Sequence, residues 1–278
     1  MEGEDAPPLG AMPLFGVGRQ RYSLAQAPSP GAMCPLSVDD DELPGVFEIR
    51  NVLSPKECEA LIDLSEQIGY AEFDKGKNTQ GAMTILFEMG AFIQPLFERC
   101  RPFLPRTFGF PGDSPAFPQI PSRELTGLNQ RCRFYRYKNQ GLDTFRPHLD
   151  DSSPGSGFVP SQANDMFQMR WDANGGAQAS LFTFLLYLND DFAGGETTFF
   201  PDGQPSGKSI GVRPVQGSVL CFPQTCKLGG SAEDIAKANR RSPLHEGSPV
   251  LPFPDGSGRP KYVMRSDVLY STGVSREQ

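Results

Sequence analysis

From Arg131 to its C-terminus the chain consists of short runs of strand-forming residues, separated by turns that contain Gly and Pro. Seven or eight runs have this character: residues 131–137, 145–150, 181–188, 196–199, 210–214, 218–222, the neighbourhood of His245, and 261–270. Few helical segments lie between them. Closely spaced short strands with tight turns are typical of an antiparallel sandwich or jelly roll. The sequence therefore predicts a mainly β fold of the jelly-roll type.

The helical signals lie in the first half of the chain. Ser54 can cap a helix that begins at Pro55, and Glu57 completes a capping box. Gly69 supplies a stop for the same helix. A second helix is predicted within residues 82–100. Both helices are expected to flank the β domain and to pack against one of its sheets.

Changes in amino-acid composition along the chain predict where the domain begins and ends. Residues 1–45 are rich in Pro, Gly and acidic residues, and we predict that they form a disordered leader. Residues 46–272 are predicted to form one domain, and residues 273–278 a short tail. Within the domain, the polar segments 151–180 and 225–260 are expected to be long loops that act as lids or contact a substrate.

Charge, hydropathy and cysteine content exclude several classes of protein. The net charge is −7, which argues against nucleic-acid binding. No run of apolar residues is long enough to span a membrane, and the acidic N-terminus does not look like a signal peptide. The six cysteines contain no C-x-x-C pair, so free buried thiols are expected. We therefore expect an intracellular, cytoplasmic protein that binds neither nucleic acid nor membranes.

The chain contains only two histidines, and both lie where a metal site needs them. His148 and Asp150 form an H-x-D pair, whose side chains point to the same face of a strand. An H-x-D pair alone is more often explained by a hydrogen-bonded histidine. Together with His245, however, the pair forms the two-histidine, one-carboxylate triad of non-haem iron(II) oxygenases. The sequence thus predicts an iron site with positions open for other ligands.

The last strand contains candidate residues for binding a cosubstrate at such a site. Where the cosubstrate is 2-oxoglutarate, its C5 carboxylate needs a buried cation. Lys261 opens the strand and is the first candidate, and Arg265 is the second because it shares the same face. Arg265 could equally pair with Asp267. Tyr137 could donate its hydroxyl group to the same carboxylate, or could be a core residue.

Several of these motifs together resemble the prolyl 4-hydroxylase-like branch of the iron(II)/2-oxoglutarate-dependent dioxygenases. The matching stretches are 53–58, 129–137, Pro-His-Leu-Asp at 147–150, 186–190, Gly-Gly-Glu-Thr-Thr-Phe-Phe at 194–200, 214–218, His-Glu-Gly at 245–247, and Lys-Tyr-Val-Met-Arg-Ser-Asp at 261–267. They keep the family's order across roughly residues 46–271. The resemblance implies a double-stranded β-helix fold, iron(II), 2-oxoglutarate and O₂ as cosubstrates, release of succinate and CO₂, and a benefit from ascorbate.

Carried over residue by residue, the resemblance makes His148, Asp150 and His245 the metal ligands and assigns Lys261 and Tyr137 to the cosubstrate. Two departures stand out. Residues 253–258 lengthen the loop that leads to Lys261, and residues 225–242 form a longer segment than relatives often have.

The resemblance leaves the substrate open. One hypothesis is hydroxylation of an unactivated C–H bond in a peptidyl residue, proline by analogy, held by segment 151–180 and its Trp171. The rival is a free amino acid or another small metabolite. A different class of function is a catalytically silent jelly-roll binding module. Such a module would lack one of the metal-binding residues, and this chain has all three. A zinc hydrolase with the same triad would have no use for Lys261. The sequence predicts no oligomeric state.

Overall fold

The computed structural model describes residues 35–37, 42–72, 81–87, 92–110, 120–160, 167–224 and 242–274. Within these ranges lie two α-helices and eighteen mostly short strands. The elements are β1 (Pro35–Ser37), β2 (Phe47–Ile49), α1 (Pro55–Ile68), β3 (Ala71–Glu72), β4 (Ala82–Phe87), α2 (Ile93–Cys100), β5 (Thr107–Phe110), β6 (Ile120–Leu128), β7 (Arg131–Tyr137), β8 (Phe145–His148), β9 (Gly157–Pro160), β10 (Phe167–Arg170), β11 (Gln178–Tyr187), β12 (Ala193–Gly194), β13 (Thr197–Phe199), β14 (Ile210–Val212), β15 (Val219–Pro223), β16 (His245–Gly247), β17 (Val250–Leu251) and β18 (Lys261–Ser271).

The strands form a large and a small antiparallel sheet that share one core. The large sheet runs in the order β1-β2-β15-β11-β18-β7-β4-β3, with β6 and β5 added beside β18. The small sheet runs in the order β14-β13-β16-β8, so β8 lies at its edge. Side chains from both sheets, such as Tyr135 and Val263 of the large sheet and Phe199 and Val212 of the small one, form a single apolar cluster. The predicted mainly β jelly roll with flanking helices is therefore confirmed.

The other face of the large sheet carries the helices. Alternate residues of β18 point to opposite sides, so Met264 joins the cluster on the helix side while Val263 joins the cluster between the sheets. Leu61 of α1 and Leu96 of α2 pack in the cluster on the helix side. Because helices cover one face of this sheet and the small sheet covers the other, β18 is buried along almost its whole length.

Helix α1 begins as the sequence predicts. Ser54 accepts a hydrogen bond from the backbone of Glu57, whose side chain in turn accepts one from the Ser54 backbone. Glu57 also receives two hydrogen bonds from Arg99 of α2, at 3.1 and 2.8 Å. Arg99 donates further to the Val52 carbonyl. One carboxylate thus caps the first helix and ties it to the second.

The helix predicted within residues 82–100 is confirmed as α2, which occupies only the last part of that range. Residues 82–87 form β4, which pairs with β7, and the helix begins only at Ile93. The sequence Ala-Met-Thr-Ile-Leu-Phe has no capping residue, and its Thr and Ile suit a strand better than a helix. Pairing with a buried strand therefore decides the conformation of this segment.

Segment 151–180 is largely ordered in the part that the structure describes. Residues 157–160 and 167–170 form the hairpin β9–β10, and Pro154 forms an isolated bridge with Ala179. The second predicted loop lies outside the described residues between 225 and 241. Most of the predicted leader also lies outside them, although Pro35–Ser37 pair with β2, and Leu43 is buried.

Cys58, Cys100, Cys132 and Cys221 are free and buried, as expected, whereas Cys34 and Cys226 lie outside the described residues. Burial raises the pKa of the Cys58 thiol to about 12. Among the described helices, neither is long and apolar enough to cross a membrane.

Candidate metal centre

Three side chains that the sequence singles out meet at one end of the small sheet. His148 ends β8, Asp150 follows two residues later, and His245 begins β16 directly opposite His148. His148 Nε2 lies 3.6 Å from Asp150 Oδ1, and His245 Nε2 lies 3.7 Å from Asp150 Oδ2. One ligand atom from each residue lies within 4.8 Å of the other two. No other group of three or more such residues occurs in the described part of the chain.

Both imidazoles are oriented through their Nδ1 atoms. His148 Nδ1 lies 2.8 Å from the Arg146 carbonyl oxygen, and His245 Nδ1 lies 3.0 Å from the Pro243 carbonyl oxygen. A carbonyl can only accept, so Nδ1 carries the proton and Nε2 offers a lone pair toward Asp150. Burial, aided by the neighbouring His148, lowers the pKa of His245 to about 3. His245 is therefore neutral near pH 7, as a metal ligand must be.

Asp150 is buried and ionised. Burial favours its neutral form, but Arg265 and the two histidines hold the pKa of the carboxyl group well below its usual value. Arg265 Nη1 lies 2.7 Å from Asp150 Oδ1, and the Thr183 hydroxyl group donates to Oδ2 at 2.5 Å. Two imidazole nitrogens and one ionised carboxylate are the donor set of a non-haem iron(II) site. The residues present therefore fit a divalent iron ion.

The triad lines a cleft between the two sheets that encloses about 450 Å³, including its mouth. Lys261, Tyr137 and Arg265, which the sequence assigns to the cosubstrate, line the same cleft. The structure thus brings together the six residues that were predicted to bind metal or cosubstrate. Trp171 does not line the cleft; the guanidinium carbon of Arg131 lies over its ring, 4.0 Å from the ring centroid.

Lys261 is a buried cation in the cleft wall, with only 3% of its surface exposed. Its Nζ donates to the Gly195 carbonyl oxygen at 2.7 Å and lies 5.7 Å from the ring centroids of Tyr137 and Tyr187. Burial lowers the pKa of Lys261 to about 8, which Glu196 partly offsets. Since its hydrogen-bond partner is a carbonyl, Lys261 can bind a carboxylate that enters the cleft.

The backbone at Gly195 makes this arrangement possible. Gly195 has a φ of 69°, a conformation that residues with side chains rarely adopt. A Cβ atom at this position would lie 2.8 Å from the Phe192 ring and 3.3 Å from the Lys261 side chain. Only glycine therefore allows the backbone between β12 and β13 to pass this close to Lys261.

Tyr137 and Arg265 differ in their contacts with other side chains of the protein. Tyr137 lies directly opposite Lys261 in the β7–β18 pairing, and burial raises the pKa of its hydroxyl group, which stays protonated. Arg265 contacts Asp150 and, at 3.8 Å, Asp267. Among the described residues that line the cleft, Lys261 and Arg265 are the two cations, and Lys261 is the one without an acidic hydrogen-bond partner.

Sequence reasoning missed Thr183 and Gln224. Thr183 donates to Asp150, and Gln224 donates to Thr183 at 3.0 Å. A signal for Thr183 exists, because it is the polar residue within the apolar run Leu-Phe-Thr-Phe-Leu-Leu of β11. Gln224 follows β15 and carries no comparable signal.

The sequence from residue 132 to residue 265 matches the family model of the 2OG-Fe(II) oxygenase superfamily. The matched region runs from β7 to β18 and includes the triad, Tyr137 and Lys261. No curated protein matches the chain.

Three solved structures illustrate what the chain is similar to. The viral collagen prolyl hydroxylase vCPH of Paramecium Bursaria Chlorella virus-1, in its 2OG complex, is 15% identical, with a TM-score of 0.45 over 84% of this chain and 99% of that one. A prolyl-4-hydroxylase of Pseudomonas putida is 16% identical, with a TM-score of 0.43 over 83% and 95%. A prolyl 4-hydroxylase of Phytophthora capsici is 14% identical, with a TM-score of 0.40 over 94% and 70%.

Proposed function

This chain is a 2OG-Fe(II) oxygenase, a 2-oxoglutarate-dependent dioxygenase, and from that premise we propose that it hydroxylates an unactivated C–H bond of a peptidyl residue, with proline as the first to test. The observation that carries the proposal is the convergence of His148, Asp150 and His245 in one cleft with the buried cation Lys261. The triad forms a metal site, and the ammonium group of Lys261 attracts a carboxylate of a dicarboxylate bound beside it.

In the proposed site, His148, Asp150 and His245 hold iron(II). The bound iron supplies the oxidative chemistry by which 2-oxoglutarate and O₂ are consumed and a C–H bond is hydroxylated. The protein contributes two imidazoles and one fixed carboxylate, and it leaves the remaining positions to the cosubstrates. The carboxylate of Asp150 favours hydroxylation, because a halogenating site needs a halide in its place.

Lys261 and Tyr137 are proposed to bind the C5 carboxylate of 2-oxoglutarate. The ammonium group provides a charge-assisted hydrogen bond, and the protonated hydroxyl group of Tyr137 can donate a second one. The apolar side chains Leu185, Phe222 and Val263 line the same cleft and exclude water from it. A carboxylate bound there would be held in a low-dielectric environment, where the charge of Lys261 acts strongly.

The choice of a peptidyl substrate is supported by the motifs that resemble prolyl 4-hydroxylase-like enzymes. Trp171 is proposed to contact the substrate, since it is partly exposed on the segment that directly follows Asp150. An intracellular location is proposed as well, supported by the four free, buried cysteines.

The proposal is tested by following 2-oxoglutarate turnover and product together. The purified protein is supplied with iron(II), ascorbate and 2-oxoglutarate, and succinate release is measured with proline-containing peptides and, in parallel, with pools of free amino acids and other small metabolites. Mass spectrometry should show the gain of one oxygen atom in a peptide. His245→Ala, which loses a metal ligand, is the matched control and should release no succinate.

Three outcomes would count against the proposal. Oxygen incorporated only into free metabolites would refute the peptidyl substrate. Equal succinate release by His245→Ala would refute the triad. A metal-loaded protein that consumes no 2-oxoglutarate under any of these conditions would refute the activity itself.

A further inference from the structure

Five buried side chains form a closed ring behind the carboxylate of Asp150. The members of the ring are Asp150, Arg265, Asp267, Gln224 and Thr183. Arg265 approaches Oδ1 of Asp150 to 2.7 Å, while Thr183 donates to Oδ2 at 2.5 Å. Each oxygen of this carboxylate therefore has a protein donor, and the two donors together fix its rotation.

The far side of the ring connects these two donors to each other. Gln224 Nε2 donates to the Thr183 hydroxyl oxygen at 3.0 Å and to Asp267 Oδ1 at 2.9 Å. Arg265 Nη2 lies 3.8 Å from the same Asp267 oxygen. The Gln224 amide is itself oriented by Ser180, whose hydroxyl group donates to its Oε1 at 2.6 Å. Arg265 and Thr183 are thus linked through Asp267 and Gln224.

Asp267 anchors the ring in the large sheet. Arg133 of β7 donates to both of its carboxylate oxygens, at 3.0 and 3.2 Å, and Arg131 lies 3.5 Å away. Three arginines therefore face the two carboxylates of Asp150 and Asp267, and neither buried carboxylate lacks a compensating charge. Every oxygen of these two carboxylates has a donor, and a buried network of this kind holds the carboxylates rigidly.

Lys261 offers a contrast on the same strand. It lies four residues before Arg265, on the same face of β18, and lines the same cleft. Its Nζ nevertheless donates to a backbone carbonyl, that of Gly195, and takes no part in the ring. The two cations are therefore engaged differently: Arg265 contacts the triad carboxylate, and Lys261 can bind an incoming anion.

We infer that Arg265 is a positioning residue for Asp150, which it holds so that the carboxylate presents a fixed oxygen to the metal ion. The inference rests on the proposed function, because it takes Asp150 as a metal ligand. It also means that Arg265 does not bind the C5 carboxylate of 2-oxoglutarate. Removing Arg265 would free the carboxylate to rotate but would also remove a positive charge beside a divalent ion. These effects change metal affinity in opposite directions, so a measured affinity distinguishes them.

The test uses Mn(II) alone, without 2-oxoglutarate, and counts free Mn(II) by electron paramagnetic resonance. Arg265→Met is expected to weaken Mn(II) binding roughly 10- to 100-fold, the usual loss when a residue that orients a metal ligand is removed. Arg265→Lys should restore part of the affinity, since its ammonium group can still donate a hydrogen bond to Asp150 and limit its rotation. The Co(II)-loaded form of Arg265→Met should also show shifted visible absorption bands, because the carboxylate no longer has its native orientation.

Thr183→Val provides a second, nearly isosteric variant in case Arg265→Met does not fold. It removes the donor to Oδ2 and should weaken Mn(II) binding in the same direction, by less. Mn(II) binding by Arg265→Met that is unchanged or tighter than wild type would overturn the inference, as would unchanged binding by Thr183→Val. Circular dichroism identifies the variants that fold.

Lys261→Met is the matched control, because it removes a buried cation from the same face of the same strand without touching Asp150. Its Mn(II) affinity in the absence of 2-oxoglutarate should equal that of wild type, and an equal loss would overturn the inference. Failure of the proposed function gives a different result. In that case wild-type protein fails to bind Mn(II), or His245→Ala binds it as tightly as wild type does.

Discussion

At the scale of single residues, the buried charges of the cleft differ in how they are compensated. Asp150 and Arg265 form a close pair, whereas Lys261 has a backbone carbonyl as its hydrogen-bond partner and a pKa lowered to about 8 by burial. A buried cation without a bonded carboxylate destabilises the fold unless an anion joins it. Lys261 is therefore the residue whose position is best explained by a bound carboxylate.

The first prediction concerns the size of this contribution. Lys261→Met should raise the KM for 2-oxoglutarate by about 10- to 150-fold, which corresponds to about 1.5–3 kcal/mol for a hydrogen bond to a charged group. Arg265→Met should change that KM less, because Arg265 is engaged by Asp150. Steady-state kinetics at saturating iron(II) measures both. A larger effect of Arg265→Met would transfer the carboxylate-binding role to Arg265.

The second prediction concerns pH. Only the protonated form of Lys261 attracts a carboxylate, and its pKa is lowered to about 8. The affinity for 2-oxoglutarate should therefore be greatest below this pH and should fall as the pH rises through it. Lys261→Arg should bind with little dependence on pH over the same range, since arginine stays charged. Calorimetry on the anaerobic Mn(II)-loaded protein measures both affinities, and parallel curves for wild type and variant would contradict the assignment.

Residues differ in how well the sequence predicts them. His148, Asp150 and His245 could be recognised because few residue types bind metals, and the chain has just two histidines. Gln224 could not, because an amide group has many uses, and Thr183 could be noticed only as a polar residue within an apolar strand. Their contact with Asp150 and Asp267 depends on how β11, β15 and β18 align across the large sheet. That alignment is a property of the folded sheet.

At the scale of elements, the sequence predicts the long strands more reliably than the type of the short segments that pair with them. The bounds of β7 and the start of β18 agree with the pattern of the sequence, because both segments are rich in aromatic and other strand-forming residues and follow turn-forming residues. The pattern placed a helix within residues 82–100 but did not assign residues 82–87, because a short apolar run fits either element. Pairing with β7, which the sequence cannot display, makes them a strand.

The third prediction belongs to the two helices. Glu57→Gln should reduce the free energy of unfolding by about 3 kcal/mol, because Arg99 would keep a buried charge without its carboxylate. Glu98→Gln, at an exposed position on α2, is the control and should change it by less than about 0.5 kcal/mol. Urea unfolding measures both. Equal effects would show that the buried pair adds nothing to the fold.

The contribution of the Glu57–Arg99 pair to stability should also depend on pH. Burial tends to raise the pKa of Glu57, but the hydrogen bonds from Arg99 and Ser54 lower it on balance below its usual value. A carboxyl group with a lowered pKa stabilises the fold above its unfolded pKa, and this contribution is lost as the pH falls through the folded value. The difference in stability between wild type and Glu57→Gln should therefore shrink in acid.

At the scale of the whole molecule, the candidate metal centre joins parts of the chain that are remote in sequence. His148 ends the small sheet's edge strand β8, Asp150 follows that strand, and His245 belongs to the neighbouring strand β16. A site that offers all three ligands to one ion exists only in the folded domain. Metal binding should therefore stabilise the domain as a whole.

The fourth prediction gives this effect a size. Mn(II) at a hundred times its dissociation constant should add about 2.7 kcal/mol to the free energy of unfolding. For a domain of this length the melting temperature should then rise by about 5–10 °C. Differential scanning calorimetry measures the rise, which His245→Ala should abolish. A rise of the same size in His245→Ala would mean that the ion binds elsewhere.

The pairing of His148 with His245 also has a consequence for when the protein can acquire its metal. In the unfolded chain the two histidines are separated by a long loop, whose closure costs entropy that no local contact repays. They meet only after β16 has docked between β13 and β8, a pairing of distant segments that forms slowly compared with local structure. A nascent or partly folded chain therefore offers iron no complete triad, and metallation must be a late event that reports completed folding.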